Sequence, residues 1–360
     1  MEKPSGSIDV FNPSSFADDI HQRTLEFFDR QTERLDSHHL LPTFLQLARS
    51  YLGEGKAYRA LAVSVGNYVA GGAPVGFEKT ALALGVAMEL YQASALVHDD
   101  LIDNSPTRRG HPSAHVAAGA LHGDDAGAPV AILVGDFLLS LNHRATSQAV
   151  AECERQIAIK LHDYMAHITA EVAWGQYLDV LTERETLTNP AQLQRHITDV
   201  IALKSGHYSV MRPLVLGALI QSPPAQLITA LQEAGQAWGI AFQMRDDAIG
   251  VFGDEEITGK PATADIIAGK RTVLLTLALQ TANDSQSAAI RRTVGNPAAT
   301  DQEIEQVREI IRETGAYDRH ETLIAELVQR GNSIVGSLEL DDQRKRVLLQ
   351  LGQLLTHRNF

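Results

Sequence analysis

Apolar side chains recur every three or four residues along most of this chain of 360 residues, which is the spacing of one face of an α-helix. The clearest stretch, 79–103, contains no proline, and five apolar residues there share a face: Leu82, Val86, Leu90, Ala93 and Val97. The pattern returns at 157–181, 191–211 and 225–252, whereas strand alternation with hairpin signals is absent. The sequence therefore predicts an all-α protein folded as a single large helical bundle.

Two regions of the chain differ in composition. The first 18 residues are rich in Ser, Pro and Asp, and they predict a flexible leader over 1–18. Beyond it the breaks between helical stretches are short, as at 188–190 and 222–224, and no linker or tandem repeat interrupts the pattern. We therefore expect one domain over 19–360.

The overall composition excludes several classes of protein. A hydrophobic share of 44% is ordinary for a globular chain, and the single cysteine, Cys153, cannot form an intramolecular disulfide. With 31 basic and 44 acidic residues the net charge is -13, so nucleic acid is not an expected partner. The longest apolar runs fall short of the ~18 residues that a membrane span needs, and the first residues lack the apolar core of a signal peptide. We expect a cytoplasmic protein without a membrane span.

A cluster of carboxylates stands in the segment HDDLIDNSPTRRG at 98–110. Asp99 and Asp103 are four residues apart and share a helical face, with Asp100 beside them. Pro106 follows, which places the cluster at the C-terminal end of its helix, where the helix dipole already disfavours negative charge. Such an arrangement is typical of a site for a hard cation such as Mg²⁺, although a solvated acidic helix end would show the same DDxxD spacing.

The basic residues after this cluster favour the functional interpretation. Arg108 and Arg109 carry permanently charged, forked donors that suit phosphate oxygens. Six fixed letters in DDx2Dx4RRG should occur by chance in about one chain of this length in 10⁵. The segment therefore predicts a site for a phosphate-bearing ligand.

A second acidic pair, Asp246 and Asp247, ends another long apolar-periodic stretch. Two acidic helix ends that face one another would let several Mg²⁺ ions bridge one diphosphate. Lys260 and Lys270 follow in glycine-bearing loops. Each lysine alone is typical of a solvated surface, but beside the Asp pair they predict a cationic shell around the same anion.

Seven short segments, taken in order, resemble the trans-type polyprenyl diphosphate synthases, the family of the farnesyl and geranylgeranyl diphosphate synthases. They are GKAYR at 55–59, HDDLID at 98–103, RRG at 108–110, GD at 135–136, GQYLD at 175–179, KSG at 204–206 and FQMRDD at 242–247. The similarity runs from about Gly55 to Thr272. It implies the isoprenoid synthase fold, an all-α bundle whose two acidic helix ends face a central active-site cavity, and a homodimer.

The resemblance implies a role for each matching residue. The implied metal ligands are Asp99, Asp103 and Asp246, with Asp100 and Asp247 as further ligands or supports. About three Mg²⁺ ions per active site are implied. The residues implied for the allylic diphosphate are Arg108, Lys204, Ser205, Gln243, Lys260 and Lys270. Those implied for isopentenyl diphosphate are Lys56, Arg59, Gln92 and Arg109.

The implied enzyme is a prenyltransferase of isoprenoid and terpenoid biosynthesis. Mg²⁺ and the basic groups stabilise charge on the leaving diphosphate, so the allylic carbon–oxygen bond ionises, and the double bond of isopentenyl diphosphate attacks the cation. Loss of a proton then gives a trans-polyprenyl diphosphate that is longer by five carbons. A cavity that holds both substrates and excludes water protects the cation.

Product length is expected to depend on the residues before Asp99. The positions four, five, eight and eleven residues earlier are Ala95, Ser94, Tyr91 and Met88, and they are predicted to line the pocket for the growing chain. Ala95 and Ser94 are small, whereas Tyr91 is either the floor of this pocket or an ordinary core aromatic. With Tyr91 as the floor we expect geranylgeranyl diphosphate, and farnesyl or geranylfarnesyl diphosphate are the alternatives.

Six positions depart from the commonest letters of the family: Glu54, Ala57, Ala60, Gln92, Ser205 and Gly250. The first three change the usual GGKRxRP to EGKAYRA, but Lys56 and Arg59 remain. Gln92 replaces a frequent histidine, and Ser205 keeps the hydroxyl of the usual threonine. Gly250 removes the third carboxylate of the second acidic motif, and Asp254 is either its replacement or an ordinary loop residue.

Three other functions share part of this pattern. A class I terpene cyclase has a similar DDxxD and fold, but its second motif of Asn, Ser/Thr and Glu is replaced here by an Asp pair. The dipeptide His98-Asp99 also occurs in HD-type metal phosphohydrolases, although His98 is better interpreted as a packed or supporting histidine. A non-catalytic partner subunit is suggested only by the altered segment 54–60.

Overall fold

The computed structural model describes residues 11–35, 41–183, 189–253 and 264–357. Within these ranges the regular elements are helices, apart from one antiparallel hairpin of two-residue strands. The all-α prediction is therefore confirmed.

The elements follow one another with short connections. Up to residue 183 they are α1 (Pro13–Leu35), α2 (Pro42–Arg49), α3 (Tyr58–Val69), α4 (Lys79–Ile102), β1 (Thr107–Arg108), β2 (His111–Pro112), α5 (Ala114–His122), a 3₁₀ turn (Asp124–Ala126), α6 (Gly127–Ala149) and α7 (Arg155–Glu183). The later described elements are α8 (Pro190–Ile201), a π-helix (Ala202–Met211), α9 (Arg212–Leu219), α10 (Ala225–Phe252), α11 (Ala264–Ala268), α12 (Val273–Thr281), α13 (Asp284–Thr293), α14 (Asp301–Glu313), α15 (Ala316–Ser337) and α16 (Asp342–Thr356).

The described residues form two compact units. The first comprises those within 1–166, 213–232 and 335–353, and the second comprises those within 167–212, 233–334 and 354–360. The single domain predicted over 19–360 thus includes residues of both units and stays a prediction at this point.

Helix α4 lies in the core of the first unit and packs along α6. The five apolar residues that predicted it are all buried, from complete burial of Leu90 and Val97 to 6% exposure of Val86. Gly85 permits a close approach of α3, because a Cβ atom there would stand 3.0 Å from the Cβ of Ala60. The face that the sequence identified is therefore buried, and the opposite side of α4 is buried too, at Leu84, Met88 and Tyr91.

Two helical stretches, Lys79–Ile102 and Asp124–Ala149, are long and apolar enough to cross a membrane by length and composition alone. In the first, 67% of the apolar window is buried inside the protein, whereas in the second the share is 39%. Helix α4 accordingly has the burial of a core helix, while α6 has an exposed apolar face.

The N-terminal helix begins earlier than the sequence suggested. Helix α1 starts at Pro13, directly after Asn12, whose side chain accepts hydrogen bonds from the N–H groups of Ser14 and Ser15. Phe16 and Ala17 are buried in the core. The prediction of a flexible leader over 1–18 is therefore wrong for residues 13–18, because these side chains pack, and residues 1–10 lie outside the described part of the chain.

The stretch 191–211 was predicted as one helix and instead changes its winding. It forms α8 and then the wider turns of the π-helix. Gly206 lies where the π-helix crosses α10. A Cβ atom added at Gly239 of α10 would overlap the carbonyl oxygen of Gly206. Backbones in such close approach and π-type winding often mark functional segments, and this segment carries the KSG motif.

Candidate active site

The first acidic helix end is formed by the last turn of α4. Asp103 is the C-cap residue and is exposed, and its N–H donates to the carbonyl of Asp99, whose side chain is 26% exposed. Asp100 is completely buried. The predicted end of this helix is confirmed, and its three carboxylates point to different surroundings.

The carboxylate of Asp100 accepts hydrogen bonds from two other side chains of the protein. Its Oδ2 accepts from the Tyr51 hydroxyl at 3.0 Å, and Arg108 Nε donates to both carboxylate oxygens at 2.9 and 3.1 Å. Burial opposes the charge of Arg108, but the hydrogen bonds and the charge of Asp100 hold the pKa of Arg108 above its ordinary value. Of the two roles left open for Asp100, these contacts favour support, because Asp100 orients Arg108.

A tight hairpin carries the two arginines. Arg109 and Gly110 form the two-residue turn between β1 and β2, with φ values of 51° and 79°. Both residues of such a turn need positive φ, which explains the glycine of the RRG motif. After the hairpin, the Ala114 N–H donates to the Tyr51 hydroxyl at 2.9 Å, so Tyr51 joins this segment to Asp100.

The residues predicted for isopentenyl diphosphate belong to the first unit. Arg109 Nη1 lies 3.8 Å from Glu54 Oε2, and Lys56 Nζ lies 5.8 Å from the centre of the Tyr58 ring. Arg59 is close enough to Glu89 to oppose the rise that burial causes in the pKa of that carboxyl. Gln92 is half-buried on α4. The sequence did not identify Glu89, since a single carboxylate within an apolar helical stretch carries no motif.

The second acidic helix end closes α10 in the second unit. Asp246 is half-buried and Asp247 is buried. Lys270 Nζ and Gln243 Nε2 each donate to Asp247 Oδ1 at 2.9 Å, and Ser205 donates to the other end of the Gln243 amide. The charges of Asp247 and Asp265 hold the pKa of Lys270 above its ordinary range despite burial. Four predicted site residues therefore form one chain of hydrogen bonds.

Two further motifs of the second unit meet at α7. Lys204 Nζ donates to Asp179 Oδ2 at 2.5 Å. Gly175 lets the π-helix approach, since a Cβ atom at 175 would overlap the backbone of Lys204. The GQYLD and KSG motifs are therefore in direct contact.

The GD motif at 135–136 has a packing explanation. The ring of His98 lies against Gly135, where a Cβ atom would overlap it, and His98 Nε2 is 3.7 Å from Asp136 Oδ1 and 3.4 Å from the carbonyl of Ile132. These contacts are those of a packed, supporting histidine, as the sequence suggested.

Asp265 is a site residue that the sequence did not identify. Its carboxylate lies against Gly250, and its Oδ2 is 3.8 Å from Lys270 Nζ. A lone aspartate after the acidic motif gave no reason to single it out. Lys260 and Asp254, which were singled out, lie outside the described residues.

The four residues that were predicted to line the product pocket lie on α4. Met88 and Tyr91 are buried, at 0% and 6% exposure, and Ala95 is half-buried. Ser94 is buried as well, and its hydroxyl donates to the carbonyl of Gly135 at 2.8 Å. Tyr91 is the bulky side chain of the set, and burial raises the pKa of its hydroxyl.

The donor chemistry of both helix ends suits a hard cation. In the described part of the chain, no group of three acidic, histidine or cysteine side chains is close enough to hold a metal ion. Mg²⁺ does not need such a cage, since it commonly takes one or two carboxylates and completes its shell with water and phosphate oxygens. The partly exposed Asp99 and the exposed Asp103 fit this mode of binding.

Comparison with known proteins identifies close counterparts. Residues 42–311 match the family profile described as polyprenyl synthetase. A geranylgeranyl diphosphate synthase of Saccharolobus solfataricus is 30% identical over 246 residues, 68% of this chain and 70% of that protein. A geranylfarnesyl diphosphate synthase of Aeropyrum pernix is 29% identical over 302 residues, 82% of this chain and 88% of that protein. The solved geranylgeranyl pyrophosphate synthase from Corynebacterium glutamicum, complexed with isoprenyl diphosphate and magnesium, is 34% identical with a TM-score of 0.87, covering 97% of this chain and 100% of that one.

Proposed function

Because this chain belongs to the polyprenyl synthetase family and is a prenyltransferase, we propose that it condenses isopentenyl diphosphate with an allylic diphosphate to geranylgeranyl diphosphate. Its all-helical fold is the isoprenoid synthase fold. The observation that carries the proposal is the end of α4, where Asp99 and Asp103 reach the surface and Arg108 is fixed behind them by the buried Asp100.

The proposed metal is Mg²⁺, with Asp99, Asp103 and Asp246 as ligands and about three ions per site. Asp100 and Asp247 are buried against Arg108 and Lys270, so we assign them to positioning these cations. When bound, the metal neutralises charge on the diphosphate and so promotes ionisation of the allylic bond. The magnesium bound by the Corynebacterium glutamicum relative supports this choice.

The allylic diphosphate is proposed to bind Arg108, Lys204, Ser205, Gln243, Lys260 and Lys270. Arg108 is oriented by Asp100, and Lys204 by Asp179. Ser205 and Gln243 continue through Asp247 to Lys270. Donors that are fixed before the substrate arrives stabilise the leaving diphosphate without reorganising during the reaction.

Isopentenyl diphosphate is proposed to bind Lys56, Arg59, Gln92 and Arg109. Arg59 and Arg109 both oppose the rise that burial causes in the pKa of Glu89, so both guanidinium groups lie near the same carboxyl. The double bond then attacks the allylic cation, and the released pyrophosphate accepts the proton that the resulting cation loses, which leaves the head-to-tail product.

Product length is proposed to be limited by Tyr91. The relatives include geranylgeranyl and geranylfarnesyl diphosphate synthases, so the family alone does not fix the length. Ala95 and Ser94 are small and lie closer to Asp99 in the sequence, whereas Tyr91 and Met88 are larger and are buried further back along α4. A buried tyrosine is a steric limit that suits a twenty-carbon chain.

We also propose a homodimer of one synthase domain over 19–360. The family match extends over residues of both units, which supports a single functional domain. In the first unit α5 and α6 expose four large apolar side chains: Val116, Leu121, Ile132 and Leu133. Apolar patches of this kind mark protein interfaces, and a second copy is the proposed occupant.

The function is tested by supplying purified protein and Mg²⁺ with labelled isopentenyl diphosphate and each allylic diphosphate in turn. Chromatography of the products should show five-carbon additions that end at twenty carbons. A final product of fifteen or twenty-five carbons would change the length assignment. Product formed from an allylic diphosphate alone would instead indicate a cyclase.

A further inference from the structure

A carboxylate stands beside one of the cations proposed for isopentenyl diphosphate. Glu54 Oε2 lies 3.8 Å from Arg109 Nη1, with the Glu54 side chain 50% exposed and the Arg109 side chain 33% exposed. An exposed pair of this kind contributes little to stability, so its effect is better sought in ligand binding.

The backbone fixes Arg109 in this position from two sides. Arg109 occupies the hairpin turn with a φ of 51°, and Gly55 has a φ of 108°. A Cβ atom at Gly55 would stand 3.0 Å from Arg109 Nη2. The guanidinium therefore rests on the glycine that directly follows Glu54, and the two charged groups stay neighbours.

Other charges of this region act on the same guanidinium. Burial lowers the pKa of Arg109, while Glu54 and Glu89 oppose that shift. His21 of α1 also lies near Arg109 and Glu54, and its buried Nε2 makes no hydrogen bond with the described residues. Glu54 is thus an exposed carboxylate that acts on both Arg109 and His21.

Glu54 and Arg109 also line the same narrow cavity. Its wall includes Tyr51, Arg108 and His111. A diphosphate that binds Arg109 on this side therefore lies next to the Glu54 carboxylate.

We propose that Glu54 sets the affinity for isopentenyl diphosphate by competing with the diphosphate for Arg109. The inference rests on the proposed function, since it takes Arg109 as a ligand of that substrate. The incoming diphosphate displaces the carboxylate and remains near its negative charge, so binding is weaker than it would be with an uncharged residue at 54. With Glu54 present, the enzyme is saturated at a higher concentration of isopentenyl diphosphate than it would be with an uncharged residue at position 54.

The variant Glu54→Gln removes the charge and keeps the size of the side chain. We expect the KM for isopentenyl diphosphate to fall about threefold to tenfold, as the loss of one close like charge implies. The KM for the allylic diphosphate should stay the same, and kcat should change less than twofold. Direct calorimetric titration with isopentenyl diphosphate should show the same gain in affinity. Glu33→Gln, an exposed carboxylate of α1, is the matched control and should change neither constant.

A double-mutant cycle with Arg109→Gln separates this inference from the proposed function. Arg109→Gln alone should raise the KM for isopentenyl diphosphate, and Glu54→Gln should have no further effect in that background. If Arg109→Gln raises this KM but Glu54→Gln leaves it unchanged or raises it, the inference about Glu54 is wrong. If Arg109→Gln leaves it unchanged, the assignment of Arg109 in the proposed function is wrong.

Discussion

The carboxylate of Asp265 lies directly against Gly250, in space that a Cβ atom at position 250 would overlap. Asp265 Oδ2 is also 3.8 Å from Lys270 Nζ, which donates a hydrogen bond to Asp247 Oδ1. The second acidic motif lacks its third carboxylate because position 250 is glycine, and the carboxylate found there comes from α11. A carboxylate from another segment therefore lies against the position where the motif has glycine.

Replacement of Gly250 by alanine should stabilise the protein less than a Gly-to-Ala change at an open helical position does. The added methyl group must displace the Asp265 carboxylate, which is 29% exposed, and this cost should cancel much of the gain in helix propensity of about 0.5–1 kcal/mol. The measurement is chemical unfolding of the variant and the parent protein.

The matched control is Gly336→Ala, because position 336 is also helical and a Cβ atom there meets no atom within 4 Å. Alanine should stabilise that site by about 0.5–1 kcal/mol. Equal effects of the two substitutions on the free energy of unfolding would contradict the contact between Gly250 and Asp265.

Removal of a proposed metal ligand should abolish turnover without unfolding the protein. Asp99→Ala and Asp246→Ala are each expected to lower kcat by at least about 10²-fold, because the charge on the leaving diphosphate is then poorly stabilised. Asp163→Ala, an exposed site on α7, is the control. Near-normal kcat in either ligand variant, with a native circular dichroism spectrum, would overturn the metal assignment.

The first acidic helix end was predictable because the residues that form it are close to one another in the sequence. The spacing of Asp99 and Asp103 follows from helix geometry, and Arg108 is nearby in sequence. The contacts of Asp265 with Gly250 and of Glu54 with Arg109 join segments that are distant in sequence. Which segments meet depends on how the folded chain packs, so no local pattern could have predicted either contact.

Truncation of Tyr91 should lengthen the product. Tyr91→Ala opens the end of the proposed pocket, so chains longer than twenty carbons are expected. Tyr91→Phe keeps the volume and should keep the product length. Chain length is read by chromatography after removal of the diphosphate, and an unchanged product from Tyr91→Ala would show that Tyr91 is an ordinary core aromatic.

The stability of the second unit should depend on pH through His320. Burial and the nearby Arg245 lower the pKa of His320 to about 4, and its ring nitrogens are buried without hydrogen bonds to the described residues. Between pH 6.5 and 4 the unfolded chain takes up a proton that the folded protein excludes. His320 therefore lowers the free energy of unfolding by up to about 1.4 kcal/mol per pH unit as the pH falls through this window.

His320→Leu should remove this part of the pH dependence, measured by urea unfolding at several pH values. His122→Leu, at an exposed position of α5, is the control and should keep the slope of the parent protein. Identical slopes for His320→Leu and the parent protein between pH 6.5 and 4 would contradict a neutral, buried His320.

The helical period predicted the long helices well, as in α4 and α10. It failed where tertiary contacts change the backbone. Residues 13–18 looked like a polar leader, yet Phe16 and Ala17 are buried. The π-helix follows α8 without any change in amino-acid composition. Its wider winding accompanies the close approach of the backbones at Gly206 and Gly239, which the composition does not show.

The central claim is the condensation of two diphosphates, and it is tested most directly by its stoichiometry. With labelled isopentenyl diphosphate, geranyl diphosphate and Mg²⁺, pyrophosphate release and label incorporation are measured in the same reaction. One pyrophosphate should be released for each isopentenyl unit incorporated, and none without isopentenyl diphosphate. Pyrophosphate release that continues without isopentenyl diphosphate, or release without incorporation, would contradict the proposed reaction.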